Sequence, residues 1–181
     1  MSEIRAYLDH NATTPIRPEA AEAVARALAL PGNPSSIHAE GRAARMMIED
    51  ARDAVAALTG ARSRDVVFTS GGTEAAATVL RPALRRGANG PEPDLLLISA
   101  TEHPCVREGH GFPVGQAEVI PVDGGGVVDI QWLAERLARH AADGQGPALV
   151  SVHAANNETG VGHPLADIGA RARPPGAPGP T

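Results

Sequence analysis

Phe68-Thr69-Ser70-Gly71-Gly72-Thr73-Glu74 reads as the end of a β-strand, a small-residue turn and the first turn of a helix. Such a junction points several backbone N–H groups at one spot and adds the positive end of a helix dipole, which together make a phosphate cradle. The same residues also read as a plain strand-to-helix turn, because Gly-Gly-Thr alone is a weak signal. The composition sharpens the question. All 16 Lys+Arg residues are Arg, so the chain contains no lysine. A phosphate cofactor that needs a lysine Schiff base could be held here, but this chain could not complete its chemistry.

Working outward, the elements alternate. Upstream, residues 4–8 lead into a turn at Asp9-His10-Asn11, and Pro15 and Pro18 precede an Ala-rich helix over roughly 18–30. Gly32-Asn33-Pro34 breaks it. Ser35 and Ser36 offer caps for a long helix of about 36–59, in which Ala44, Met47, Ile48, Ala51, Val55 and Leu58 share one face and Gly60 takes the C-cap position. Asp65 to Thr69 predicts a short strand, and Thr73 to Arg86 a helix that Pro82 must kink or shorten. Leu95-Leu96-Leu97-Ile98 is a continuous apolar run of the kind buried on both faces. Further strands are predicted over 118–122 and, again buried, over 149–152, and helical segments over 106–109, 130–140 and 166–173.

Strands alternating with helices predict an α/β fold with a mainly parallel sheet, and ligands of such sheets bind at the carboxyl ends of the strands. Three polar clusters fall there in sequence: Ser70-Gly71-Gly72-Thr73, Thr101-Glu102-His103 and Asn156-Asn157-Glu158. They predict one shared site. Each also has a plainer reading. His103 can stack on a flat ring or shuttle a proton, or it can simply cap the next turn. Asn157 can donate to a phenolate-type oxygen, or the Asn pair can build an Asx turn. Cys105, the single cysteine, can be a nucleophile beside His103 or a packed bystander. The remaining histidines show no metal-ligand spacing.

Length and composition narrow the class. The 181 residues are 43% hydrophobic and 20% charged, enough for a globular domain with a sizeable core, and the 2% aromatic content leaves that core to Ala, Val, Leu and Ile. A net charge of −5 with scattered arginines argues against nucleic acid as a main partner. One cysteine allows no internal disulfide, there is no signal-peptide core, and no apolar run approaches a membrane span. A cytoplasmic protein is expected.

Taken together, the motifs resemble one family. Tyr7-Leu8-Asp9-His10-Asn11-Ala12-Thr13-Thr14-Pro15, then Gly32-Asn33-Pro34-Ser35-Ser36-Ile37-His38 with Gly41-Arg42-Ala43-Ala44-Arg45, then Phe68 to Glu74, Thr101-Glu102-His103-Pro104 and Asn156-Asn157-Glu158-Thr159-Gly160 are similar, in order, to blocks of the NifS/IscS-like cysteine desulfurases of the class V aminotransferase group. The resemblance implies the large domain of a pyridoxal phosphate (PLP)-dependent transferase. Gly72 and Thr73 would contact the phosphate, His103 would stack on the pyridine ring and move protons, and Asn157 would bond the ring hydroxyl. It also implies L-cysteine as substrate and a homodimer. Sulfur would pass through an enzyme persulfide to an iron–sulfur scaffold or another acceptor, leaving alanine.

The family's pyridine-pairing aspartate, Schiff-base lysine, persulfide cysteine and small C-terminal domain have no counterpart here, and Cys105 is not at the acceptor position. The expectation is therefore an incomplete large domain over residues 1–172, an N-terminal fragment inactive by itself. A Pro/Gly-rich tail over 173–181 would be disordered and out of frame, and a sheet edge would lack its partner. Two alternatives are another class V enzyme such as a selenocysteine lyase, and a non-catalytic interaction module using the family's dimer surface.

Overall fold

Four consecutive apolar residues in extended conformation send side chains to both faces of a sheet, so Leu95-Leu96-Leu97-Ile98 demands cover on both sides. In the computed structural model, which describes residues 6–85, 87 and 89–173, that demand organises the second of two compact units, divided between Phe68 and Thr69. Leu95–Ser99 forms β1 and is buried throughout. It lies between two parallel neighbours, β2 (Ala117–Ile120) and β3 (Ala148–Ser151), giving the order β2-β1-β3. Leu97 pairs in register with Glu118 on one side and Val150 on the other.

The odd and even positions of β1 build two separate cores. Leu95 and Leu97 pack with Ile120, Val128, Leu133 and Ile168. Leu133 comes from α5 (Ile130–Ala142) and Ile168 from α6 (Leu165–Ala172). Leu96 and Ile98 pack on the other face with Leu80, Phe112 and the half-buried Ala76 and Val106. These belong to α3 (Gly72–Val79) with its C-cap, α4 (Pro104–Arg107) and the loop after it. Parallel crossovers are right-handed. The step from β1 to β2 and the step from β2 back past β1 to β3 run in opposite directions, so their helices must lie on opposite faces, as α4 and α5 do.

β2 is held to α5 by a two-pronged ion pair. Arg136 donates from Nε to Glu118 Oε2 at 2.7 Å and from Nη2 to Oε1 at 2.6 Å. The Arg136 hydrogen bond, more than its charge, holds the Glu118 carboxyl below its ordinary value.

In the first unit α1 (Pro18–Leu28) and α2 (Ala39–Thr59) carry the predicted helices. The N-cap of α2 is His38 rather than Ser35 or Ser36: its Nδ1 accepts from the Gly41 N–H at 3.2 Å. The loop at 32–36 folds onto the first turn of α2 so closely that a Cβ on Gly41 would lie 2.4 Å from the Ser36 carbonyl oxygen and 2.8 Å from that of Asn33. Gly60 ends α2 in the left-handed region at φ 70°. The apolar face of α2 is largely uncovered, with Leu58 at 87% exposure.

Two expectations need correction. Residues 65–69 are not a strand. Ser63–Asp65 is a 3-10 turn, and residues 66–69 run on with no ladder partner among the described residues, leaving Val67 80% and Phe68 50% exposed. A β-branched run is a strand only where another strand takes its N–H and C=O groups. β3 is half-buried rather than buried, because it forms an edge of the described sheet. Pro82 has shortened rather than kinked its helix, which stops at Val79. Arg86 and the 174–181 tail lie outside the described residues.

Glu118→Gln removes the charge from the β2–α5 pair, with an expected loss of about 1 kcal/mol at neutral pH. A depressed carboxyl stabilises the fold above its unfolded value, and that contribution is lost as pH falls. The gap between wild type and Glu118→Gln in urea unfolding therefore narrows below pH 4.5. A gap that does not change with pH would show that the ion pair is not its source. Gly41→Ala is expected to cost about 1–3 kcal/mol by overpacking. Gly169→Ala, in the open on α6, serves as the control that thermal melting should find undamaged.

Candidate functional site

The strand order creates a crevice. The chain leaves β1 toward α4 on one face and leaves β3 toward α6 on the other, so the two exit loops diverge at the carboxyl ends of neighbouring strands. Such a switch point is where open parallel sheets bind ligands. Its walls are the 100–103 loop and the 152–164 loop. The second doubles back on itself through an antiparallel bridge between Ala155 and Gly162.

Asn156 joins the walls. Its Oδ1 accepts from the N–H groups of Glu158 (2.9 Å) and Thr159 (2.8 Å), forming the Asx turn, while its Nδ2 donates to the Thr101 carbonyl across the crevice at 3.0 Å. Asn156 thus spends both ends of its amide on structure. Asn157 follows it on the same turn, in a loop tied to the one that carries His103.

His103 shows that its two sequence readings are compatible. It is the N-cap of α4, and its Nδ1 accepts from the Cys105 N–H at 3.1 Å. A ring nitrogen that accepts from a backbone N–H carries no proton, so the neutral ring bears its proton on Nε2. The cap orients an imidazole that is otherwise exposed. Cys105 is half-buried with a free thiol and meets His103 through its backbone N–H.

Gly72 and Thr73 form the first turn of α3. The N-cap, Gly71, offers no side-chain cap to the helix N–H groups, and Cβ atoms built on Gly71 or Gly72 would meet nothing within 4 Å. The carboxylate of Glu74 reaches back to the Ser70 N–H at 2.5 Å, and this backbone hydrogen bond lowers its pKa. α3 packs against α4. The structure therefore puts Thr73 and His103 on neighbouring helices, and the Asn156–Thr101 bond joins the His103 and Asn157 loops.

Sequence reasoning missed a second cluster beneath the rim. Glu102, next to His103, is 7% exposed. It sits 3.3 Å from His153 Nδ1, and His153 Nε2 meets His163 Nε2 at 3.1 Å. The two histidines stand ten residues apart with no helical or strand period between them, so only the Ala155–Gly162 fold-back brings them together. Among the described residues no group of three or more His, Cys, Asp or Glu is placed to hold a metal ion, and no helix is long and apolar enough to cross a membrane.

Comparison with known proteins agrees with this layout. Residues 6–178 match the aminotransferase class-V family. The chain is 40% identical over 171 residues to a cysteine desulfurase of Frankia sp., covering 85% of this chain and 38% of that protein. It is 38% identical over 179 residues to an IscS-like cysteine desulfurase of Mycobacterium tuberculosis, covering 96% and 44%. It is also 34% identical to a selenocysteine lyase of Bos taurus, covering 93% and 42%. In three dimensions it matches the X-ray structure of a NifS-like protein from Rickettsia africae with a TM-score of 0.75 at 34% identity, over 91% of this chain and 44% of that one. The chain thus spans about two fifths of the length of these relatives. With its parallel sheet, its switch-point crevice and a match that runs almost from end to end, the chain belongs to the aminotransferase class-V family, alongside the NifS- and IscS-like cysteine desulfurases.

Proposed function

We propose that this chain supplies the coenzyme-holding part of a pyridoxal phosphate-dependent cysteine desulfurase. The observation that carries the reading is the crevice between the β1 and β3 exit loops, with His103 on one wall and Asn157 on the other and the uncapped α3 N-terminus on the helix packed against α4. These residues fit the phosphate and the ring of PLP. No side chain of this chain offers an amine for the aldehyde carbon, because lysine is absent.

When bound, PLP supplies an electron sink conjugated to the α-carbon of an amino-acid substrate. The protein's share is to hold and orient. The N–H groups of Gly72 and Thr73 and the Thr73 hydroxyl would hold the phosphate at the positive end of α3. Glu74 holds its carboxylate on the Ser70 N–H. His103, its orientation set by the Cys105 N–H, would stack on the pyridine ring, with Nε2 the atom to pass a proton. The Asn157 amide would hold the ring oxygen, its backbone fixed by the turn that Asn156 builds.

The substrate is L-cysteine and the product alanine, with sulfur destined for an iron–sulfur scaffold or another thio-acceptor in the cytoplasm. Cys105 is not assigned as sulfur acceptor: it helps to cap α4 beside the ring-stacking residue instead. A homodimer fits the apolar face of α2, where Met47 and Leu58 are 39% and 87% exposed.

Titration of the chain with PLP, followed by tryptophan fluorescence, is expected to show reversible binding that inorganic phosphate competes away. Thr73→Val and Asn157→Ala should each weaken it about ten- to a hundredfold, the effect of one hydrogen bond to an ionised group. After dialysis and borohydride treatment, mass spectrometry should find no side chain carrying the coenzyme; a modified side chain would overturn the assignment of a tetherless site. Supplied with PLP and either L-cysteine or L-selenocysteine, the chain by itself should release alanine no faster than a blank. Release from one of the two would identify the substrate and refute inactivity.

A further inference from the structure

The cluster under the rim has a definite proton order. The Val128 N–H can only donate, and it points at His163 Nδ1 at 3.3 Å. His163 Nδ1 is therefore a bare acceptor, and the neutral ring carries its proton on Nε2. That proton points at His153 Nε2, 3.1 Å away, which must accept it. The His153 proton then sits on Nδ1, facing Glu102 Oε2 at 3.3 Å. Glu102, the terminal acceptor, also takes the His103 N–H at 3.3 Å and lies 3.5 Å from the Ser151 hydroxyl. Every donor has an acceptor, and the chain runs in one direction, Val128 to His163 to His153 to Glu102.

Its members come from three loops. Val128 follows β2, His153 and His163 follow β3, and Glu102 follows β1. We propose that Glu102, His153 and His163 are positioning residues forming a one-proton relay that locks the three exit loops in register and so sets the rim on which His103 and Asn157 stand; this rests on the reading that the rim takes the coenzyme ring. The relay touches the rim through the His103 N–H. One more proton breaks it: on His153 it would set Nε2–H against the His163 Nε2–H at 3.1 Å, and on His163 it would set Nδ1–H against the Val128 N–H at 3.3 Å.

Burial first, and then the neighbouring His153, push the His163 pKa below its ordinary value, while Glu102 pulls it up. The other carboxylates near these loops are engaged elsewhere or distant in sequence: Asp123 accepts from its own turn, Asp129 caps α5, and Asp167 lies in the first turn of α6. A histidine whose folded pKa is depressed contributes stability that is complete above its unfolded value and declines as pH falls below it. The folded latch therefore stays closed at pH 6.5 and opens only on acidification below it.

Nitrogen NMR of the imidazoles in the full chain at pH 7.5 reads the relay directly. The expected result is His163 protonated on Nε2 and His153 on Nδ1; the opposite tautomer at either ring overturns the proposal. Amide exchange, corrected for intrinsic rates, should show protection of the His103 and Val128 N–H groups falling together at least tenfold in Glu102→Ala, which removes the terminal acceptor. Independent behaviour of the two amides overturns it. His163→Leu should weaken PLP binding at least tenfold. His163→Gln, whose amide can accept from Val128 and donate to His153 but cannot titrate, should restore affinity to within about threefold and remove the part of the pH dependence that wild type shows beyond it. A Gln variant no better than Leu refutes the relay. If wild type binds no PLP while tautomers and coupled protection are as stated, the relay stands and the coenzyme reading fails.

Discussion

The reversal of strand order at β1 is the constraint on which the site depends. A buried parallel strand with a neighbour on each side must be left in two opposite directions, and right-handed crossovers then send the connections to opposite faces. The crevice between the β1 and β3 exits is a by-product of that geometry. The leucines of β1 fix it energetically, because each face of the strand anchors a separate core and each core holds the helices that one exit loop must reach. Burial of side chains such as Leu96 and Leu97, worth about 2 kcal/mol each, therefore acts on function at one remove, by deciding where the polar loops diverge.

Within the crevice, polar side chains hold the walls. Asn156 spends both ends of its amide on structure, in the loop that carries Asn157, and the Nδ1 of His103 is spent on the α4 cap, which orients its exposed ring. Each rim residue stands beside a residue that fixes its backbone. Hydrogen bonding of this kind limits the freedom a ligand must otherwise remove on binding. The buried Glu102–His153–His163 chain extends the arrangement one layer down, where low exposure makes an unmatched donor or acceptor costly.

Much of this was legible in one sequence. Alternating helix and strand patterns and the apolar run at 95–98 foretold the α/β class and the parallel sheet, and two of the three polar clusters, at 101–103 and 156–158, do follow strands. The limits of α1 and α2 came within a few residues, because Pro18 and Gly60 punctuate the chain by local sterics, while the helix predicted as far as Arg86 stops at Val79, ahead of Pro82. The strand predicted at 65–69 failed for the opposite reason. Val66 and Val67 favour extended backbone, yet a ladder requires a partner, and pairing is not a local property. The cap of α2 moved from Ser35 or Ser36 to His38 because the loop at 32–36 packs onto the helix, an approach that Gly32 and Gly41 permit.

The order of residues along the chain was enough to establish the kind of fold and the absence of a lysine side chain, since each follows from composition or period. It could not reveal that Asn156 braces what Asn157 presents, or that His153, His163 and Glu102 share protons. Those relations arise only when loops from three strands meet, and the free energy that joins them belongs to groups up to 61 residues apart in sequence, such as Glu102 and His163.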